Sequence, residues 1–228
     1  MPTPCYLIEQ TDRALLSLRR FGFGPSAAEP DRHECPGRPP TTGHGGSVYR
    51  YGCDGSSGYL EEIPLVLSAD GYLELAPEPP HDDPRWPATC EHCGEPFSHD
   101  ELWQANQEPV YVVVAAVPGA ALDVGMETPL RDAPPGAMWF AAWLREWSIG
   151  FDGCGLMVRL PDGHDWRVDG EATNCTRKGD RTHRCWLREG EPPYVTAGKH
   201  PHELTCSAGA GSIASPGYHG FLQNGILT

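Results

Sequence analysis

The feature that most limits how this chain can fold is Cys90-Glu91-His92-Cys93-Gly94. Two thiolates separated by two residues wrap a tight turn around one Zn²⁺, and the following glycine supplies the positive φ such a knuckle needs. One knuckle offers two ligands, whereas a closed tetrahedral site needs four, so distant loops must fold back onto it. The stretch 23–58, rich in Gly, Pro and His, holds Cys35, His44 and Cys53. Cys35-Pro36-Gly37 is the edge of a second knuckle. Cys35 with either His44 or Cys53 completes a site with Cys90 and Cys93, and His99 stands in reserve as a fourth ligand. His92 lies inside the knuckle and points away from a ligand role. A redox dithiol or two free thiols are the competing readings. A thioredoxin-like motif follows a strand and opens a helix, but here Pro87 precedes and a loop follows.

Composition makes a staple necessary. The 228 residues include 27 glycines and 24 prolines, which predicts short elements joined by many turns. Long irregular segments bury little surface and need metal or disulfides to hold them. Nine cysteines are an odd number, so complete internal pairing is impossible, and their interleaving with ten histidines points to metal. The start, Met1-Pro2-Thr3-Pro4-Cys5, shows no basic region followed by an apolar one. The longest apolar run, 110–117, is far short of the ~20 residues a membrane helix requires. A soluble chain, intracellular at synthesis, is therefore expected. The net charge of −14 repels phosphate backbones and excludes non-specific nucleic-acid binding as a default.

The hydropathy pattern predicts an α+β protein with short hairpins, two or three helices and long irregular loops around a zinc-ribbon-like site. Helices are expected over 11–21, with Ala14, Leu15 and Leu18 on one face, over 98–106 behind a Ser98/Glu101 capping box, and from Asp132 through Trp147. In the last, Trp139, Trp143 and Trp147 share a face; core packing is the plain account of them and an aromatic stacking platform the sharper one. Hairpins are expected around 69–71, 118–119, 161–163 and Asn224-Gly225. Two regions follow, 1–128 with the knuckle and 129–228, with one continuous domain as the alternative.

A second cluster, Cys175, His183, Cys185 and Cys206, supplies four further soft ligands in the irregular stretch 170–215. A second zinc there would order backbone that lacks regular structure; buried free cysteines with a solvated histidine are the alternative. Arg177, Lys178, Arg181, Arg184 and Arg188 crowd the same stretch, and could receive a phosphate or acidic partner, or form a solvated loop. With Cys206 as nucleophile and His219 or His183 as base, beside the amides of 206–212, a thiol-dependent enzyme acting on an anionic substrate is conceivable. Metal-dependent chemistry at the same place is its variant.

Several strings carry a resemblance. They are Cys5-Tyr6-Leu7-Ile8-Glu9, Cys35-Pro36-Gly37, Trp86-Pro87, Cys90 to Gly94, Leu130-Arg131-Asp132-Ala133-Pro134-Pro135-Gly136-Ala137-Met138-Trp139, Asn174-Cys175-Thr176, Thr182-His183-Arg184-Cys185-Trp186, Cys206 to Ile213, and Tyr218-His219-Gly220-Phe221-Leu222. In these the chain resembles an uncharacterised protein family of tailed bacteriophages and prophages, common in those infecting actinobacteria, which has no assigned activity. The family pattern carries a histidine soon after its Cys-Pro-Gly. His44 matches it in order, so the resemblance implies His44 as the ligand beside Cys35. This chain departs by a Gly/Ser-rich insertion around 45–58, containing Cys53, and by Glu189 where relatives carry histidine. The turn-rich composition, the acidic charge and the lack of a complete catalytic constellation point to a zinc-stabilised accessory protein that binds a virion or host protein, as a minor virion component or a host-interaction factor in the host cytoplasm.

Overall fold

Residues 11–21, expected to be helical, lie within a single β-strand, Tyr6–Phe23, in the computed structural model. Burial falls on Ala14, Leu16 and Leu18, every second residue, while Leu15 and Ser17 are only half-buried. That is the two-residue period of a strand. Ala14 and Leu18 satisfy a helical period as well; Leu16 distinguishes the two.

The structure describes residues 1–26, 28, 30–42, 44–46, 48–67, 73–74, 76–97, 102–141, 153–170, 175–177, 185–198 and 212–228. The other two expected helices also give way. Residues 98–101 lie outside the described residues, and Leu102–Ala116 is a 15-residue strand. In the third, Leu130–Asp132 is a single 3-10 turn and Ala137–Phe140 a strand, while Trp143 and Trp147 lie outside the described residues. Gly136 explains the break. Its φ of 95° is left-handed, and a β-carbon there would sit 2.6 Å from the Pro4 carbonyl oxygen, so the chain must turn as only glycine can. Among the described residues helix is limited to two 3-10 turns of three residues, the other being His44–Gly46. The α+β expectation is thereby corrected to an almost all-β chain.

Contacts divide the chain into two units, one formed by 1–11 with 111–228 and the other by 12–110. In the first, Ala137–Phe140 pairs in parallel with Tyr6 and Leu7 and antiparallel with Leu156–Arg159, which pairs in turn with Asp165–Arg167. The hairpin expected around 161–163 is present, closed by the Leu160 amide donating to His164 and the Gly163 amide to Leu160. Trp139 is buried on its strand, among Tyr6, Ile8 and Val113. The Asn224-Gly225 turn joins Leu222–Gln223 to Ile226–Leu227, and the latter pairs with Thr3–Pro4.

In the second unit, the 12–23 portion of the long strand takes two antiparallel partners in succession. Glu61–Pro64 pairs with residues 13–16, and Tyr51–Ser56 with residues 19–23. Leu16, Leu18 and Trp86 form a small apolar core with Trp103. His81 stacks on Trp103 at 4.5 Å and Trp86 meets it edge-on at 5.0 Å. The Arg20 guanidinium lies 3.9 Å from the Trp103 ring centre, a cation–π contact that anchors the long strand to Leu102–Ala116. A second buried cluster in this unit is built of cysteines. No helix among the described residues is long and apolar enough to cross a membrane.

Candidate metal centre

Three segments bring four thiols together. Strand Tyr51–Ser56 carries Cys53. The loop before it carries Cys35, whose amide donates to the Tyr51 carbonyl at 2.8 Å and so pins the loop to the strand. The Arg38 amide then donates to the Cys35 carbonyl, closing a turn over Pro36 and Gly37. The knuckle supplies Cys90 and Cys93. Its amide hydrogen bonds run from Cys90 to the Glu95 carbonyl and from Gly94 to the Cys90 carbonyl, with Gly94 at φ 76°. This is the tight turn its spacing foretold.

The four Sγ atoms all lie within 4.8 Å of one another. Cys35 and Cys90 are 3.7 Å apart, as are Cys53 and Cys93. A disulfide would need about 2.05 Å. A tetrahedron of sulfurs each about 2.3 Å from a central ion has edges of about 3.8 Å. The observed spacing matches that edge, so the four thiols could hold a metal ion. Cys35, Cys53 and Cys90 are buried and Cys93 is half-buried, so the cage is shielded on most sides.

Electrostatics points the same way. Burial would push the Cys90 thiol up, but the amides of Asp54, His92 and Cys93, with the Cys93 thiol, outweigh it and hold Cys90 down to about 6. Burial, followed by the neighbouring thiols, pushes Cys35 and Cys53 up. One thiolate is thus favoured where it stands, while a second and third in the same pocket would repel it. A cation at the centre would allow all four to ionise.

The fourth thiol is Cys53. The family resemblance had implied His44; its backbone lies in the 3-10 turn His44–Gly46 and its side chain lies outside the described residues, among which the four thiols form the group. His99 lies outside the described residues. The imidazole of His92 is exposed and 3.3 Å from the Glu91 carboxylate.

The second expected cluster is only partly described. Cys175 and Cys185 are buried in the main apolar core of the first unit; His183 and Cys206 lie outside the described residues. Of the arginines in that stretch, Arg181 and Arg184 also lie outside the described residues, and Arg177 is half-buried. Arg188 is buried and ion-paired with the buried carboxylate of Asp169. His219 is exposed, 2.6 Å from the Ser212 hydroxyl across a hairpin.

Sequence reasoning gave no role to Asp54. It is buried, accepts from Arg19 through both oxygens at 2.8 and 2.6 Å, and from Arg38 at 3.2 Å. Those side chains hold its carboxyl below the usual carboxylate range despite burial. Adjacency to Cys53 was the available signal.

The chain matches no family model, no curated protein and no solved structure.

Proposed function

We propose that the four cysteines hold one structural zinc ion and that the chain works by binding a protein partner rather than by catalysis. The observation that carries the metal reading is the 3.7 Å spacing of sulfurs drawn from three segments. Tetrahedral tetrathiolate sets take zinc or iron. Zinc is the better fit to a chain rich in glycine and proline, which gains folding free energy from a redox-inert staple. A four-thiolate set leaves no open position for water or substrate, so it supports folding rather than metal-dependent chemistry.

The partner follows from charge and provenance. The net charge of −14 disfavours nucleic acid. The acidic, turn-rich composition, together with the resemblance to the tailed-phage family, supports an accessory role, as a minor virion component or a host-interaction factor in the host cytoplasm. Mass spectrometry of purified virions and of proteins captured by the tagged chain from infected cells tests this. A stoichiometric place in the particle, or one specific host protein, is expected. Recovery of nucleic acid as the sole partner, or turnover of an anionic substrate that depends on Cys206, would overturn it.

A further inference from the structure

Asp54 touches all three thiol-bearing segments of the cage. It follows Cys53 in the strand Tyr51–Ser56. Its amide donates to Cys90 Sγ at 3.3 Å, and its carbonyl accepts from the Glu91 amide at 2.9 Å, so the residue is bonded to the knuckle on both sides of its own backbone. Its carboxylate accepts from Arg38, three residues beyond Cys35, and from Arg19 on the neighbouring strand, where Phe21 is its cross-strand partner. Both arginines are braced on aromatic rings, Arg19 at 5.0 Å from Phe21 and Arg38 at 4.3 Å from Tyr51.

We infer that Asp54 is the positioning residue of the cage: its carboxylate, held between Arg19 and Arg38, aims the Asp54 amide at the Cys90 sulfur and so sets how tightly the metal is retained. The physical basis is that an amide aimed at a metal-bound thiolate stabilises its charge and fixes its direction, and such outer partners alter affinity substantially when removed. A carboxylate with two cationic partners is a rigid support, because neither arginine can leave without exposing a buried charge. Glu91 and His92 lie close enough to join Asp54 in a trio of oxygen and nitrogen donors, but the Asp54 oxygens are already taken by guanidinium groups, which makes them supports rather than ligands.

The inference rests on the metal reading above, and its test separates the two. Full-length wild type, Asp54→Asn and Asp54→Glu are loaded with zinc or cobalt(II). Asp54→Asn keeps the shape of the side chain but loses its charge. It is expected to bind one zinc and to surrender it to a chromophoric chelator roughly 10–100-fold faster than wild type. Its cobalt form should show a displaced thiolate-to-metal charge-transfer band, and Asp54→Glu should recover part of both effects. Leu156→Ala, in the core of the other unit, serves as a control that lowers thermal stability without moving the band or the release rate. Should Asp54→Asn fail to fold, Arg38→Gln removes one support and should give a smaller effect of the same sign. A variant less stable to heat but unchanged in band and release rate would reduce Asp54 to an ordinary structural residue and overturn the inference. A wild type that carries no metal would overturn both the inference and the reading beneath it.

Discussion

Gly37 packs so closely on His92 that a β-carbon at position 37 would overlap the His92 carbonyl oxygen. The Cys35 loop and the knuckle therefore meet backbone to backbone, and the separation of Cys35 Sγ from Cys90 Sγ depends on that approach. Gly37→Ala should force the two segments apart. A loss of roughly 1–3 kcal/mol is expected from the overpacking, with weakened metal retention. Thermal unfolding with and without added zinc measures both.

The identity of the fourth ligand is tested by two single substitutions. Cys53→Ser should abolish stoichiometric metal binding and destabilise the protein by several kcal/mol, because a structural zinc contributes directly to folding. His44→Ala should leave the metal in place. Elemental analysis of the two purified variants reads the result; the reverse pattern would mean that the imidazole, and not the Cys53 thiol, completes the cage.

Without metal the site should titrate unevenly. Cys90, held down to about 6 against a usual value of 9.0, is ionised in the folded chain while still protonated in the unfolded one. The folded state then binds fewer protons, so the Cys90 contribution to stability grows as pH rises from about 6 to about 9 and is lost as pH falls through 6. Cys35 and Cys53 shift the other way, and their preference for the neutral form weakens the fold above about 9. Thiolate ultraviolet absorbance of the metal-free protein should show one group titrating near 6, absent in Cys90→Ser.

How much of this was legible in the residues follows from how local each signal is. The knuckle at 90–94 and the turns at 161–163 and 224–225 are set by neighbouring residues, and the structure has them where their turn chemistry placed them. The 11–21 part of the strand Tyr6–Phe23 was not legible, because Ala14, Leu15, Leu16 and Leu18 offer apolar residues at both periods and the choice is made by Tyr51–Ser56 and Glu61–Pro64, dozens of residues away. The same non-locality left the choice between Cys53 and His44 open. In Tyr51-Gly52-Cys53-Asp54-Gly55-Ser56 the glycines erase any alternation, so a strand reads as a loop. Trp139 was misplaced for a different reason: spacing by four suggested a helix, whereas Gly136 turns the chain away just before it.

Among the described residues, the first unit holds a buried ion pair. Arg188 and Asp169 are both buried and face each other, and the Arg188 amide also donates to Asp169 at 3.0 Å. Arg188→Met leaves the carboxylate buried opposite an apolar chain and should cost about 3–5 kcal/mol. Replacing both residues with apolar ones of similar volume should recover much of that loss. Chemical denaturation of the single and double variants measures the difference.

Four sulfurs closed around one zinc ion should survive purification, and native mass spectrometry of the full chain purified without added metal reads this out. The expected mass exceeds that of the polypeptide by one zinc ion, less the protons it displaces. On adding a chelator that ion should leave, with four thiols becoming open to alkylation together. A bare polypeptide mass, an iron in place of zinc, or four thiols alkylated freely before any chelator is added would contradict it.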